Sequence, residues 1–364
     1  MTAALFNPIK LGQLTLANRI VMPPMTRSRA SQPNDNANEI MATYYAQRSS
    51  AGLVIGEGTQ ISPMAKGYAW TPGIYSDKQL SGWKKVTDAV HANNGIMFAQ
   101  LWHVGRVTHP DNINGQQPIS SSAIKADNVK VFVDGGDNNP GFVDVVEPRE
   151  MTKADIQQVV AQFKQASLNA IKAGFDGIEL HAANGYLINQ FIDSESNHRT
   201  DEYGGSLTNR LRFLDEVISA MVEAIGSDKI GVRLAPLTTL NGTVDATPEL
   251  TYTAAAKLLN QHNIAYIHIA EADWDDAPVM STEFKQALRE AFNGIMIYAG
   301  KYTTQRAVSA IESGLADMIA FGRAFVANPD LPARIKHGQA WAKHNPETLF
   351  GGDEKGLTDY PVFS

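Results

Sequence analysis

Cysteine is absent from the 364 residues of this chain. Without a thiol the chain can form no disulfide, no cysteine-ligated zinc or iron–sulfur site and no cysteine nucleophile. Long apolar runs are missing too, since none approaches the roughly 18 residues that a membrane helix needs. The first residues, MTAALFNPIKLGQ, show no signal-peptide pattern. We therefore expect a cytoplasmic protein that does not insert into membranes.

Positive charge is also scarce. Lys and Arg number 31 against 38 Asp and Glu, which gives a formal net charge of −7, and no Lys/Arg run occurs. Such a chain is a poor binder of nucleic acids and anionic membranes. Its 43% hydrophobic and 19% charged residues are the balance of a globular protein, which excludes the disordered and fibrous classes. The expected partner is a small-molecule substrate, and the patterns leave open whether the chain is a monomer or a homodimer.

Short β-branched runs alternate with helical patterns along the chain. Several runs are apolar nearly throughout, which is typical of parallel strands covered on both faces. Eight such βαβ repeats predict an α/β fold, a closed (β/α)8 TIM barrel. An open doubly wound sheet is the alternative, but the Gly-x-Gly-x-x-Gly turn that it would carry after an early strand is absent. The predicted strands are residues 19–23, 53–56, 96–101, 177–181, 230–234, 265–270, 295–299 and 318–321. The predicted helices are residues 39–51, 78–93, 153–173, 208–225, 250–261, 282–292 and 304–313.

The chain is longer than a barrel alone requires. A barrel uses about 250 residues, so roughly 110 remain for additions. Residues 6–18 predict an N-terminal hairpin. Residues 103–151, after strand three, are rich in Asn, Gly, Ser and Asp and predict a loop subdomain over the C-terminal face of the barrel. No linker or repeat divides the sequence, so we expect a single domain over residues 1–364 with 103–151 as an insertion.

Glycine and arginine follow the last two predicted strands. Gly300 comes just after strand seven, and Gly322 with Arg323 comes just after strand eight. Many barrels hold a phosphate group in these two loops. Glycine lets backbone N–H groups approach the anion and arginine adds a charged donor fork. The pair of loops favours phosphate binding over the alternative that the glycines only form tight turns.

A second polar group follows strand four. His181, Asn184 and Tyr186 lie within six residues at the end where barrel enzymes place their chemistry. If the chain turns helically after His181, the His and Asn side chains share a face and can both donate to one substrate oxygen. Tyr186 could then donate a proton to a neighbouring atom. A structural histidine and a packed tyrosine are the alternative.

Arg233 ends an apolar strand and needs a negative partner inside the barrel mouth. That partner is either a carboxylate such as Glu271 or an anionic ligand, for example a ring that gains negative charge on reduction. A metal site is not expected, because no His-Glu-x-x-His or comparable ligand spacing occurs.

Seven segments of the chain carry a resemblance to one known family. They are NRIVMPPMTR at 18–27, GYAWTPGIY at 67–75, QLWHVGR at 100–106, HAANGYL at 181–187, NHRTDEYGGS at 197–206, AFGR at 320–323 and NPDL at 328–331. With these segments the chain resembles the Old Yellow Enzymes, the FMN-containing ene-reductases, and in particular their bacterial branch. The resemblance runs from Leu5 to Pro361.

The resemblance implies a non-covalently bound FMN and a role for each matching residue. The flavin ring contacts would be Pro24, Met25, Thr26, Gly58, Gln100 and Arg233. The phosphate contacts would be Gly300, Gly322 and Arg323. His181 and Asn184 would bind the substrate oxygen, Tyr186 would be the proton donor, and Tyr68, Trp102 and Trp274 would line the substrate pocket.

The implied activity is reduction of the activated C=C bond of α,β-unsaturated carbonyl compounds, extending to nitro compounds. NADPH, or alternatively NADH, would reduce the flavin and leave. The alkene would bind in the same place, receive hydride from flavin N5 at its β-carbon and take a proton from Tyr186 at its α-carbon. A shared pocket implies ping-pong kinetics.

The chain departs from patterns of its relatives in three places. Asn184 stands where bacterial nitrate-ester and nitroaromatic reductases carry a second histidine, which bears on substrate preference. Leu349-Phe350 replaces a common Phe-Tyr pair and removes a hydroxyl from the pocket rim. Thr26 separates the chain from relatives with cysteine there.

Two other functions compete with this interpretation. A barrel that isomerises or cleaves a sugar phosphate would explain the phosphate loops, with Glu57 or Lys301 as catalytic group, but not the His181, Asn184 and Tyr186 group. A non-catalytic flavin-binding protein would not need a proton donor.

Overall fold

The computed structural model describes residues 2–135, 140–271 and 278–363. Its strands agree with the predicted ones within one or two residues, except that the second barrel strand runs four residues further than predicted. The strands are, in chain order, β1 (Ile9–Leu11), β2 (Leu14–Leu16), β3 (Ile20–Met22), β4 (Leu53–Gln60), β5 (Met97–Trp102), β6 (Ile119–Ser120), β7 (Lys130–Val133), β8 (Gly141–Asp144), β9 (Arg149–Glu150), β10 (Gly177–His181), β11 (Ile230–Leu234), β12 (Tyr266–Ala270), β13 (Ile295–Ala299) and β14 (Met318–Ala320).

Helices alternate with the barrel strands as predicted, and short ones that the sequence patterns did not indicate are added at the N-terminus, after β10 and after β14. The helices are α1 (Ala3–Phe6), α2 (Glu39–Ala46), α3 (Asp77–His91), α4 (Lys153–Lys172), α5 (Leu187–Ile192), α6 (Leu207–Ile225), α7 (Pro248–Gln261), α8 (Thr282–Ala291), α9 (Thr304–Glu312), α10 (Gly322–Ala327) and α11 (Leu331–His337).

Eight parallel strands close the barrel. They follow the order β3, β4, β5, β10, β11, β12, β13 and β14, and β14 pairs again with β3. The neighbours along this ring are also neighbours in sequence among the barrel strands, which is the connectivity of a (β/α)8 barrel. The predicted fold class is confirmed.

Local capping explains where the long outer helices begin. At the start of α4, the Thr152 hydroxyl accepts a hydrogen bond from the Asp155 N–H, and the Asp155 carboxylate accepts one from the Thr152 N–H. Ser76 and Gln79 make the same reciprocal pair at the start of α3. Each pair satisfies two backbone donors that a helix N-terminus leaves free. The predicted N-cap at Thr152 is confirmed.

The N-terminal hairpin closes the bottom of the barrel. Strands β1 and β2 pair antiparallel, and their Leu11 and Leu16 side chains pack in one apolar cluster with Val21, Leu53 and Phe98. Leu53 is the first residue of β4, so this cluster lies at the N-terminal end of the strands. The interior is therefore sealed there and open for chemistry only at the other end.

The segment between β5 and α4 forms a separate layer over the C-terminal end. It contains the antiparallel pair β7 and β8 and the short parallel pair β6 and β9. Its Val104, Val131 and Val145 pack with Trp102 of β5 and against Tyr186, beyond β10. This packing sets the layer directly beside the strand ends. No helix in the described part of the chain is long and apolar enough to cross a membrane.

Candidate active site

A cavity of about 510 Å³ opens at the C-terminal end of the barrel. It gathers residues that follow different strands, as the connectivity of a barrel requires. Eleven of the predicted site residues line it, namely Pro24, Met25, Thr26, Tyr68, Gln100, Trp102, His181, Asn184, Tyr186, Arg233 and Arg323. Trp274 lies outside the described residues.

Gly58 lies beneath the cavity wall. It belongs to the extended part of β4, where it pairs with Gln100 of β5. A Cβ built on Gly58 would stand 1.8 Å from Cε3 of Trp102, so only glycine lets the indole lie flat against the strand. It supports the aromatic wall and is not among the residues that line the cavity.

Gly300 and Gly322 lie at the ends of two paired strands. Ala299 of β13 pairs with Ala320 of β14, so the two glycines, one and two residues further on, emerge side by side. Arg323, in the first turn of α10, lines the cavity. Gly300 and Gly322 are not among the residues that line the cavity. The two glycine turns and the guanidinium lie where many barrels hold a phosphate group, and phosphate binding by them stays a prediction.

His181 is a neutral hydrogen-bond donor. Burial, the nearby Arg233 guanidinium and His268 hold its pKa well below the usual range. Its Nδ1 accepts a hydrogen bond from the Ala183 N–H at 3.3 Å, which leaves the imidazole proton on Nε2. A neutral imidazole with this tautomer can donate to a substrate oxygen at any pH near neutrality.

Asn184 reaches the cavity through a left-handed turn. A helical turn directly after His181, the condition under which His181 and Asn184 would share a helix face, does not form, because Asn184 has φ 56° and Gly185 has φ 76°, and α5 begins only at Leu187. Asparagine and glycine tolerate this conformation better than other residues. The turn brings Asn184 and His181 to the same cavity without a shared helix face.

Tyr186 is held among aromatic rings with its phenol protonated. Its ring lies 4.9 Å from the rings of both Trp102 and His181, and its hydroxyl lies 3.3 Å from that of Tyr68. Burial raises its pKa, while hydrogen bonds with the Tyr68 and Asn241 side chains oppose that shift. Near neutral pH it therefore carries a proton that it can donate.

The Gln100 side-chain amide is oriented by a buried carboxylate. Gln100 Nε2 donates to Oε1 of Glu179 at 2.8 Å. The other oxygen, Oε2, accepts from the Tyr266 hydroxyl at 3.1 Å and lies 2.8 Å from Nδ1 of His268. Because a carboxylate only accepts here, the Gln100 nitrogen must face it. Gln100 therefore has its oxygen free to accept from a ligand.

Arg233 brings a positive charge to the cavity. It is 6% exposed, its Nε has no hydrogen-bond partner, and its contact with the Pro24 carbonyl is long, at 3.5 Å. No carboxylate of the described residues lies within ion-pairing distance of it. Glu271, the structural partner considered from sequence, instead pairs with Lys285 and Arg306. A buried unpaired guanidinium favours an anionic ligand, and the flavin ring, which gains negative charge on reduction, fits this donor set.

Two polar groups of the site were missed at the sequence level. Asn241 Nδ2 donates to the Asn184 carbonyl at 2.7 Å, and no sequence signal links the two residues because they follow different strands. Glu179 carried a usable signal: it stands two residues before His181 in an apolar strand, and residues two apart on a strand share a face.

The groups needed for sugar-phosphate chemistry lie elsewhere. Glu57 is buried away from the cavity, where it accepts from the Arg27 N–H and the Tyr45 hydroxyl, and burial raises its pKa. Lys301 is exposed. Over the described residues, no group of three or more acidic or histidine side chains is placed to hold a metal ion.

Comparison with known proteins agrees with this geometry. Residues 4–341 match the model of the NADH:flavin oxidoreductase / NADH oxidase family. The chain is 40% identical to 12-oxophytodienoate reductase 1 of Oryza sativa subsp. japonica, over 98% of this chain and 92% of that relative.

Solved structures give the same result. Morphinone reductase superposes with a TM-score of 0.96 at 44% identity, over 99% of this chain and 96% of that one. An Old Yellow Enzyme homologue from Zymomonas mobilis gives a TM-score of 0.93 at 40% identity, over 99% of each chain. The chain therefore belongs to the NADH:flavin oxidoreductase / NADH oxidase family, as a flavin-dependent oxidoreductase related to the Old Yellow Enzymes.

Proposed function

We propose that the chain is an FMN-dependent ene-reductase that reduces the activated C=C bond of α,β-unsaturated carbonyl compounds at the expense of NAD(P)H. One observation carries the proposal. His181 as a neutral imidazole donor, Asn184 and the protonated Tyr186 converge on one cavity that Arg233 also lines. Among the described residues, no carboxylate pairs with the Arg233 guanidinium, and its Nε has no hydrogen-bond partner. The relatives named as reductases of 12-oxophytodienoate and morphinone support it.

One group of residues would contact the ring of FMN, and a second group would contact its phosphate. Arg233 and the Gln100 oxygen would contact the flavin ring, together with Pro24, Met25 and Thr26. Gly300, Gly322 and Arg323 would hold the phosphate. When bound, FMN supplies the hydride that it has taken from the nicotinamide.

His181 and Asn184 would act on the substrate oxygen. Both can donate hydrogen bonds, and a carbonyl oxygen becomes more negative as hydride reaches the β-carbon. Donors placed in advance at that oxygen stabilise the developing charge without reorganising. Because His181 is neutral, the oxygen would be polarised without being protonated.

Tyr186 would give its proton to the α-carbon. Its hydroxyl lies 3.3 Å from that of Tyr68, and its ring is packed between Trp102 and His181, so the proton would be presented from a defined position. The Trp102 ring packs against it and limits its rotation. Fixing a proton donor in this way is the usual means by which a weak acid becomes an effective catalyst.

The finer parts of the proposal follow the family resemblance. NADPH would be the reductant, with NADH as the alternative. Nitro compounds would also be reduced, with Asn184 in place of a second histidine altering the preference among them. We further propose a single-domain cytoplasmic protein of the bacterial branch, as a monomer or a homodimer, whose Tyr68, Trp102 and Trp274 contact the substrate.

An anaerobic absorbance experiment tests the proposal. The protein should be yellow, lose its flavin absorbance when NADPH is added, and regain it when cyclohexenone follows. A colourless protein, or a yellow one that NADPH reduces but neither enones nor other activated alkenes reoxidise, would contradict it. In parallel, nitroaromatics and nitrate esters used as the oxidant would determine how far the activity extends.

A further inference from the structure

Three aromatic rings form a continuous lip at the cavity mouth, which we call the aromatic lip: Trp70, Phe132 and Phe142. The ring centroids of Trp70 and Phe132 are 5.2 Å apart, and those of Phe132 and Phe142 are also 5.2 Å apart, edge to face. All three rings line the same cavity as His181 and Tyr186. The lip therefore continues the substrate pocket outwards over the layer that contains β7 and β8.

Phe142 is exposed to an extent that folding alone does not explain. Its side chain is 67% exposed although it stands in the middle of β8, and its cross-strand partner is Phe132. An exposed aromatic ring at the rim of a ligand cavity is characteristic of a binding surface. Exposed apolar area of this kind is covered favourably by another apolar group.

Trp70 reaches the lip from an unfavourable backbone conformation. Its φ is 61°, a left-handed conformation that costs a residue with a bulky side chain on the order of 1 kcal/mol or more. The surroundings impose it: the Trp70 carbonyl accepts from the Ala30 N–H at 2.9 Å, and a Cβ on Gly351 would stand 3.0 Å from the indole ring. Backbone strain of this kind concentrates at ligand sites.

The chemistry of the aromatic lip selects an apolar occupant. The only hydrogen-bonding side-chain group of its three members is the Trp70 indole N–H. The nicotinamide cofactor, with its charged phosphates, gains nothing from such a surface beyond stacking. A hydrocarbon substituent of an alkene bound at His181 and Asn184 would gain burial along its whole length.

We propose that the aromatic lip binds the apolar substituent of the alkene, so that the enzyme prefers α,β-unsaturated carbonyl compounds with a large hydrophobic group over small ones. The proposal rests on the proposed function, because it places the reacting carbonyl at His181 and Asn184. It assigns substrate selection to Phe142 and Trp70, outside the residues that act on the reacting atoms.

A series of straight-chain trans-alkenals, from crotonaldehyde to dodecenal, tests the lip. In the unmodified enzyme kcat/KM should rise with chain length, by up to about fourfold for each methylene group that is buried. Phe142→Ala should lower the ratio of kcat/KM between dodecenal and crotonaldehyde by about tenfold. Leu250→Ala is the matched control, since Leu250 is 63% exposed and lies on α7 outside the cavity lining; it should leave the ratio unchanged.

Two results would count against the aromatic lip, and a binding measurement tests it separately from the proposed reductase activity. A ratio that Phe142→Ala leaves unchanged would overturn the proposal. So would a Phe142→Ala enzyme whose only defect is a higher KM for NADPH, because the lip would then bind the reductant. Saturated aldehydes of the same lengths, whose binding is followed by the flavin absorbance, test the lip without turnover: they should bind more tightly as they lengthen even if alkene reduction itself fails.

Discussion

At the residue scale, burial sets the protonation states on which the cavity depends. It keeps His181 uncharged and Tyr186 protonated, so the proposed anchor and the proposed acid are in their working forms near neutral pH. It also leaves Arg233 with no carboxylate partner among the residues that the structure describes. These states follow from the position of each residue in the barrel and could not be read from residue type alone.

His103 should make the folded protein sensitive to acid. Burial lowers its pKa to about 3, whereas an unfolded chain gives histidine about 6.5. As pH falls from 6.5 towards 3, His103 is protonated in the unfolded state but not in the folded state, so the free energy of unfolding falls. Between pH 7 and 5 this residue should cost about 2 kcal/mol of unfolding free energy.

Denaturant unfolding at the two pH values checks this expectation. Because His103→Gln also changes the packing around this buried position, the quantity to compare is the difference in unfolding free energy between the two pH values. That difference should shrink by about 2 kcal/mol in the variant. An unchanged difference would show that His103 titrates normally in the folded protein.

Glu179 should act on FMN binding through Gln100. Glu179→Gln leaves one acceptor oxygen for the three groups that now share the two carboxylate oxygens, so the Gln100 amide is no longer fixed and can rotate to present its nitrogen to the ligand. We expect FMN to bind about tenfold more weakly, measured by the fluorescence of free flavin. In a Gln100→Ala background the same substitution should weaken FMN binding much less. An equal loss of FMN affinity in the two backgrounds would mean that Glu179 acts without Gln100.

At the element scale, the sequence predicted which segments form the barrel strands better than it predicted how far β4 extends and what its side chains contact. The apolar runs gave all eight strands because parallel barrel strands are buried on both faces. Strand β4 was predicted to end at residue 56, yet it continues to Gln60, because the side chains of Glu57 and Gln60 find buried hydrogen-bond partners. Those partners come from distant segments, such as Tyr45 and Thr71, and no local pattern reveals them.

The same limit applies to the candidate site. The positions of the glycines and arginine after β13 and β14, and of the cluster after β10, could be predicted, because each is a short motif at a strand end. The left-handed conformations of Asn184 and Trp70, the contact between Asn241 and Asn184, and the aromatic lip depend on contacts between segments far apart in sequence. For these features the three-dimensional structure was required.

The packing of β4 against β5 should tolerate a methyl group at Gly56 but not at Gly58. A Cβ on Gly58 would collide with the Trp102 ring at 1.8 Å, whereas one on Gly56 meets only the flexible end of Met97 at 3.2 Å. Gly58→Ala should therefore displace Trp102, cost about 1–3 kcal/mol of stability and slow alkene reduction. Gly56→Ala is the control on the same strand, measured by the same melting and turnover assays. Equal losses of stability and turnover in Gly58→Ala and Gly56→Ala would contradict the role of Gly58 in supporting Trp102.

At the scale of the whole molecule, a protein with a net charge of −7 has to bind two anionic ligands, FMN and NAD(P)H. Local groups therefore have to provide attraction that the overall charge does not. Arg233 and Arg323 in the cavity, with the glycine turns after β13 and β14, are the groups placed to do so. The barrel concentrates them because its strands all end at the same face.

Cofactor binding should stabilise the whole fold, and the phosphate should account for part of the effect. At one hundred times its dissociation constant, FMN should add about 2.7 kcal/mol to the free energy of unfolding of the apoprotein. Riboflavin, which lacks the phosphate, should stabilise less at the same concentration. Arg323→Ala should narrow the gap between the two ligands in a thermal melt. Equal stabilisation by both in the unmodified protein would place the phosphate outside the Gly300, Gly322 and Arg323 group.

The most direct test of the central claim compares the two half-reactions in Tyr186→Phe by anaerobic stopped-flow absorbance. The claim is that this cavity reduces alkenes with Tyr186 as the proton donor. Flavin reduction by NADPH should keep its rate in the variant, because no proton from Tyr186 is used there. Reoxidation by cyclohexenone should slow by about 10²–10⁴-fold. Reoxidation at the rate of the unmodified enzyme would contradict the account.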